Sequence, residues 1–387
     1  MTEHIVFWLG PSMEPWNHRT APDTGIGGSE LAAIRLVQGL AQVGFRVTVY
    51  ADITEPDCGE DVNPRWLNYR AVKWDRDIIP CDLLVSSRTP VIGPACKPRK
   101  LAGRPTWLWM HDLHVGADWG NHIGEFFDKI VVLSIFAMQR FVAYYPRVEP
   151  SNIIIISNGI IPDLYKSSDH VFGDQHRALL AKSVPLTLTW SSAPDRGLDR
   201  VLDLWPHLRK MYPNAELQVF GNIPAWAERA TAYGSPDVVA QARQLMDKLR
   251  GLGSEEGVWF RGKVGQAELG KAWMSTHLWL YPTSFEETSC ITAMEAQAAG
   301  VKIACTPIGA LPETVPYATM LSVWNPSSEW RDKTLAVVSK LVADEDMCNL
   351  TAARDWQVSW SSVTLHWWKA IRKVLDTPRK EQRPCDL

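Results

Sequence analysis

Residues 278–305 read LWLYPTSFEETSCITAMEAQAAGVKIAC. The segment opens on a short apolar run, Leu278–Tyr281, and closes on another, Val301–Cys305. Each has the length and composition of a buried strand. Between them, Ser289–Ala299 has helical spacing, with Ile291, Met294 and Ala298 on the face that would meet a core and Gly300 as a stop. Thr288 or Ser289 is placed to cap the helix start. Strand, polar loop, helix, strand is the unit of a parallel α/β sheet.

The same unit recurs on both sides of this stretch. Upstream, Pro185–Trp190, Glu216–Phe220 and Val258–Phe260 read as strands, with helices expected over Leu198–Met211 and Val239–Leu252. Nearer the start, His4–Leu9, Phe45–Asp52, Asp82–Ser86, Pro105–Met110, Lys129–Leu133 and Asn152–Ile156 read as strands. Helices fall between them, over residues 29–44 and Phe136–Tyr145, with Ser29 as N-cap and Gly44 as stop. Residues 166–184 are polar and weakly patterned, which marks a linker. A last helix is expected over Ser361–Leu375, followed by a loose tail. The pattern predicts an α/β protein of two Rossmann-like, doubly wound domains in series, with ligands at the carboxyl ends of their strands, in a cleft between them.

Composition narrows the class. The chain has 387 residues, a net charge of -3 and a pI of about 6.4. No basic surplus points to nucleic acid as the main partner. Seven Cys are scattered without a C-x-x-C pair, so neither a disulfide framework nor a zinc site is expected, and the reading is a reducing cytoplasm. Cys290 and Cys305 sit in apolar runs and read as buried. MTEHIVFWLG is too short and acidic for a signal peptide, and no apolar run is long enough for a transmembrane segment. Nineteen Trp leave room for exposed rings that stack on sugars or meet lipid.

The chemistry-bearing residues cluster on the loops that follow strands. Glu287 precedes the helix of the opening stretch and Glu295 lies about two turns in. The helix start exposes N–H groups at Thr288, Ser289 and Cys290 that suit a diphosphate. A carboxylate at Glu295 accepts two hydrogen bonds from a ribose diol, and one at Glu287 holds sugar hydroxyls. The plain alternative is a capping-region charge and a solvated helix residue. Gly27 and Gly28, in G-I-G-G, do not make a dinucleotide fingerprint and read as a loop near a phosphate or acceptor, or as a flexible turn. His111 leaves the end of a strand with Asp112 and His114 beside it. H-D-L-H lacks an evident third metal ligand.

These motifs resemble retaining glycosyltransferase family 4, of GT-B fold. The E-x7-E of Glu287 and Glu295 with the loop TPIGALPETV (306–315), the stretch WSSAPDRGLDRVLDLWPHLRKMYPNAELQVFG (190–221), GIGGSELAAIRLVQGLAQVGFRVTVYA (25–51) and IIIISNGI (153–160) follow the family's order along nearly the whole chain. The resemblance implies a glycosyltransferase that moves a sugar from a nucleotide diphosphate-sugar donor with retention of configuration. It implies Glu287, His111 and Arg196 as catalytic residues and Glu295, Arg196, Gly27, Gly28, Thr288, Ser289, Cys290 and Arg261 as donor-binding ones. Residues 1–170, completed by 361–387, would form the acceptor-side domain, and 180–358 the nucleotide-sugar domain. The C-terminal helix with Trp367 and Trp368 would cross back to the first domain.

Two departures stand out. Ser191 occupies the place of the family's Arg, and Arg196 that of its Lys. Arg261 is then the candidate second cation. With no D-x-D motif at a strand end, the reaction is expected to need no metal, and no cofactor is expected. The acceptor stays open between a glycan, a lipid-linked sugar, a protein and a modified nucleic acid. Residues 11–24 and 53–75 read as loops, and their Trp16, His18, Arg19, Trp66 and Trp74 are the candidates to grip it. Competing readings are a sugar-nucleotide epimerase, a non-catalytic sugar-nucleotide binder and a dinucleotide oxidoreductase with Asp52 on the ribose.

Overall fold

A computed structural model describes residues 2–12, 15–73, 80–101, 103–120, 122–165, 184–344 and 358–377. The expected linker and tail, and Trp74, fall outside the described residues. The chain divides into two compact units. The first comprises Met1–Ala21, Gly27–Gly159 and Val358–Leu387, the second Pro22–Ile26 and Ile160–Gln357.

In the first unit, β1 (His4–Gly10) leads to α1 (Gly28–Gln42), β2 (Arg46–Ala51), β3 (Arg65–Asn68) and β4 (Leu83–Ser87). Then follow α2 (Gly93–Leu101), β5 (Thr106–Trp109), β6 (Lys129–Val132), α3 (Ile135–Tyr144) and β7 (Ile153–Ile155). The strands form one parallel sheet in the order β3-β2-β1-β4-β5-β6-β7. Strand order reverses between β1 and β4, the place where such sheets open a crevice. Every residue of β4 and β5 is buried, as expected for strands covered on both faces.

The second unit runs β8 (Thr187–Trp190), α4 (Leu198–Met211), β9 (Glu216–Phe220), α5 (Ile223–Tyr233) and α6 (Pro236–Leu249). It continues with β10 (Val258–Gly262), α7 (Gln266–Met274), β11 (Leu278–Tyr281), α8 (Ile291–Ala298), β12 (Lys302–Cys305), β13 (Thr319–Met320) and α9 (Ser328–Ala343). Its parallel sheet has the order β10-β9-β8-β11-β12-β13, with the reversal between β8 and β11. The chain then returns to the first unit as α10 (Trp360–Leu375). There Trp367 is fully buried, its ring 5.3 Å from Trp109 and 5.8 Å from Trp107. Arg372 ties the helix to Glu3 just ahead of β1, at 2.5 Å.

The Trp surplus is core. Trp107, Trp109, Trp190, Trp205, Trp273, Trp279 and Trp367 are among the largest fully buried side chains. Cys290 and Cys305 are likewise buried.

Some expectations fail at element ends. Gly27, not Ser29, is the N-cap of α1, and no side chain caps that helix. Ser29 instead sits one residue inside the helix and bonds to Glu30. Cys290, rather than Thr288 or Ser289, precedes α8, again without a side-chain cap. The loop reading of 53–75 misses the edge strand β3, whose short RWLN run pairs with β2. The expected acceptor grip is largely closed. Trp16 and Trp66 are buried and meet edge to face, and His18 stacks on Trp66 at 5.1 Å. Asp57, itself buried, accepts from the Trp66 backbone at 2.8 Å and from Arg19. Trp16, His18, Asp57 and Trp66 tie the loop after β1 to β3 and the loop before it, and only Arg19 of this group is exposed.

Candidate active site

In the second unit, the loops that follow β8, β11 and β12 meet at the carboxyl edge of the sheet, where the strand order reverses. Glu287 stands at their centre. Tyr281, the last residue of β11, donates its hydroxyl to Glu287 Oε1 at 2.6 Å. Arg196 Nε lies 3.8 Å from the same oxygen. The Arg196 guanidinium also reaches Asp195 at 2.5 Å and sits over the Phe285 ring, 3.3 Å from its centroid. Burial raises the pKa of Glu287, while the Tyr281 hydroxyl and the Arg196 charge pull it back. Burial likewise holds the Tyr281 phenol well above its ordinary value, so it stays a hydrogen-bond donor.

Two glycines make this approach possible. Gly197 has a left-handed φ of 114°, and a Cβ there would lie 3.0 Å from the Pro282 carbonyl. Gly309 has φ 65°, and its Cβ would lie 2.5 Å from both the backbone N and O of Glu287. Ala310 N donates to the Glu287 carbonyl at 2.7 Å, locking the loop after β12 onto the loop after β11. An L side chain at either position would push the loops apart.

Glu295 does not fit the plain alternative of a solvated helix charge. It is neither solvated nor on the surface, being 3% exposed within α8. Gln266, the first residue of α7, donates to it at 3.3 Å. Burial raises its pKa to about 7, and the neighbouring Tyr165, Trp273 and Gln266 side chains partly offset this. Glu287 and Glu295 thus have separate sets of partners. Ser191 follows β8 directly, and its enclosed hydroxyl has no hydrogen-bond partner among the described residues; the same holds for the hydroxyl of Ser289. Arg261 lies near the end of β10, on the same edge of the sheet but two strands from β8, with its guanidinium 5.2 Å from the Trp259 ring centroid.

Sequence reading missed Arg200, in the first turn of α4. Its guanidinium donates to the Pro282 carbonyl at 2.6 Å and to Ser284 Oγ at 2.8 Å, and stacks 4.2 Å from the Trp324 ring centroid. An Arg three residues past Arg-Gly looks in sequence like an ordinary exposed helix residue.

The first unit carries a second constellation at its own reversal point. Arg88 follows β4 in a left-handed conformation, φ 65°, unusual for a side chain of this size. It holds both oxygens of Asp112, at 2.9 and 3.3 Å, and bonds Ser29 at 3.2 Å beside the Gly27–Gly28 start of α1. His111 packs against Trp109, ring centroids 4.4 Å apart. Burial, with the Arg88 charge adding to it, lowers its pKa to about 3, so the ring is neutral near pH 7. His114 lies against Tyr144 instead, and no group of three metal-ligating side chains occurs among the described residues. Asp52, the ribose candidate of a dinucleotide enzyme, is buried and takes bonds from Arg70 at 3.3 Å and Ser12 N at 3.5 Å.

Two Rossmann-like parallel-sheet domains in series, with the last helix returned to the first, constitute the GT-B fold. Residues 186–339 match a family model described as glycosyl transferases group 1. A curated relative, lipopolysaccharide 1,2-N-acetylglucosaminetransferase of Salmonella typhimurium, is 24% identical over 187 residues. That match takes in 48% of this chain and 46%, about half, of the relative's own length. Among solved structures, sucrose-phosphate synthase of Thermosynechococcus elongatus superposes with a TM-score of 0.69 at 15% identity, over 97% of this chain and 100% of the other. HepE of Anabaena, solved in complex with UDP, gives 0.67 at 15% identity, over 96% and 100%. None of the described helices is long and apolar enough to cross a membrane.

Proposed function

We propose that this protein is a glycosyltransferase that takes a sugar from a nucleoside diphosphate-sugar donor and passes it to a hydroxyl acceptor with retention of configuration. The observation that carries the reading is the Arg196–Glu287–Tyr281 constellation at the reversal point of the second sheet. It lies within the span that matches the glycosyl transferases group 1 model. The similar curated protein is an N-acetylglucosaminetransferase, and the HepE structure holds UDP, which supports a nucleotide-linked sugar as donor.

In this reading the reaction places positive charge on the sugar and negative charge on the departing diphosphate. Arg196 meets the diphosphate, with the N–H groups at the start of α8, and no metal is required. Preorganised donors of this kind stabilise charge as it develops. Glu287, oriented by the Tyr281 hydroxyl, accepts hydrogen bonds from sugar hydroxyls. Glu295 accepts from the ribose diol, which takes the place of the 3.3 Å bond from Gln266. In the first unit, the neutral His111 offers a sugar hydroxyl a hydrogen-bonding group without bringing charge. Gly27 and Gly28 leave the start of α1 open to donor or acceptor.

The test is turnover. UDP-, GDP- and ADP-sugars are offered with mixed glycan acceptors, and release of the free nucleoside diphosphate is followed, with product anomeric configuration read by NMR. One donor class should turn over, giving a product of the donor's own anomeric configuration. Arg196→Ala should lose one charge-assisted hydrogen bond, worth about 1.5–3 kcal/mol, which is roughly 10–150-fold in kcat/KM. Wild-type kinetics in a folded Arg196→Ala protein would remove Arg196 from the mechanism.

A further inference from the structure

The loop that carries Glu287 is held from several sides. Thr306 donates its hydroxyl to the Thr283 carbonyl, and Ala310 N holds the Glu287 carbonyl. Arg196 covers Phe285 and approaches Glu287. The start of the loop is gripped by Arg200 through two different groups, the Pro282 carbonyl and the Ser284 hydroxyl. Trp324, which follows β13, backs the guanidinium on its face. Arg200 therefore joins three elements: the first turn of α4, the loop after β11 and the segment after β13.

The two arginines differ in what they bond. Arg196 faces the carboxylates of Asp195 and Glu287. Arg200 is held by a carbonyl and a hydroxyl, both uncharged. A fork of fixed N–H groups suits two acceptors set side by side, and a flat cation suits an aromatic face; lysine offers neither geometry. The Arg200 Nε is enclosed and has no partner among the described residues, so all of its hydrogen bonds come from its two terminal nitrogens.

We propose that Arg200 is a positioning residue for the proposed reaction: it fixes residues 282–284 so that Glu287 stays seated between Tyr281 and Arg196. The substrate side of this inference rests on the glycosyltransferase reading, but the seating of Glu287 does not. Burial holds the Glu287 carboxyl above its ordinary value even though Tyr281 and Arg196 pull it down, so a loosened loop that lets water reach it loses the larger, raising effect and the value falls toward the ordinary range.

The experiment uses the full chain as wild type, Arg200→Gln, Arg200→Lys, Ser284→Ala and the double variant of Arg200→Gln with Ser284→Ala. The Glu287 carboxyl is followed by carbon-13 NMR titration, assigned by its loss in Glu287→Gln. UDP, GDP and ADP binding is followed by calorimetry. Wild-type Glu287 should titrate above the ordinary glutamate range, and Arg200→Gln should bring it down toward that range. Arg200→Lys should not restore it, because a lysine cannot bridge both acceptors. Nucleoside diphosphate affinity should fall on the order of 10-fold or more in Arg200→Gln, and by less than the sum of the single effects in the double variant with Ser284→Ala. If Arg200→Gln does not fold, Ser284→Ala decides the matter, since it deletes one exposed hydroxyl. An unchanged Glu287 titration in a folded Arg200→Gln or Ser284→Ala protein overturns the proposal, whatever happens to affinity. A shifted titration with no nucleotide bound by the wild type upholds the positioning role and removes the glycosyltransferase reading.

Discussion

Glu295 shows what a residue's surroundings add to its place in a motif. In sequence it is the second glutamate of E-x7-E, with a solvated helix charge as the plain alternative. The structure buries it in α8 and raises its pKa to about 7. A carboxyl that holds its proton more tightly when folded stabilises the fold below its unfolded pKa. That stability is lost as pH climbs through the folded value. Wild type should therefore lose stability relative to Glu295→Gln between about pH 4.5 and 7, by on the order of 3 kcal/mol. Urea unfolding of both proteins at pH 5 and pH 8 reads this directly, and an equal difference at the two pH values would contradict it. Gly309 gives a second case. Alanine there suffers both a left-handed backbone and a collision with the Glu287 backbone, whereas Gly262 is equally left-handed with nothing near it. Gly309→Ala should cut turnover at least tenfold, the loss expected from misplacing a binding group by about 1 Å. Gly262→Ala should cost stability but little activity. The motif glutamates and Arg196 were singled out in sequence. Arg200 was not, because its value lies in what the loop after β11 places opposite it.

At the scale of elements, the strands were legible and several helices were not. Buried parallel strands are short apolar runs bounded by turn residues, so β1, β8, β9, β11 and β12 stand out in sequence. Helices α5 (IPAWAERATAY), α7 (QAELGKAWM) and α9 (SEWRDKTLAVVSKLVA) mix polar and apolar residues with weaker periodicity. The edge strand β3 has four residues and cannot show a period. The segments holding Trp16, His18 and Trp66 looked like an acceptor surface because composition does not reveal that aromatic residues of a loop and an edge strand will cover one another. Packing of α10 on α1 supplies a prediction at this scale. A Cβ on Gly39 would lie 2.1 Å from Thr364 Oγ1 and 3.0 Å from its Cβ. Gly39→Ala gains helix propensity, worth about 1 kcal/mol, but the helices must separate, which costs about 1–3 kcal/mol. The variant should melt below wild type, and adding Thr364→Ala should recover part of the loss. A Gly39→Ala protein that melts above wild type would show that α10 sits less tightly on α1.

At the scale of the whole molecule, two strand-order reversals define two constellations, each built at the carboxyl edge of its own sheet. Two doubly wound domains follow from alternation of strands and helices along the chain; the GT-B reading came from the motifs' resemblance to a known family. The donor's base and sugar were not legible, since their recognition depends on surfaces that leave no spacing in sequence. The central claim, that the second unit's sheet edge receives a nucleoside diphosphate, is tested most directly by thermal stabilisation. UDP, GDP, ADP, CDP, dTDP and NAD are added separately, with and without magnesium, to wild type and Arg196→Ala. A true ligand at 100 times its Kd stabilises by about 2.7 kcal/mol. The account predicts that one nucleoside diphosphate raises the Tm of wild type without magnesium and that Arg196→Ala loses most of the shift. Stabilisation by NAD alone, or an equal shift in both proteins, would contradict it.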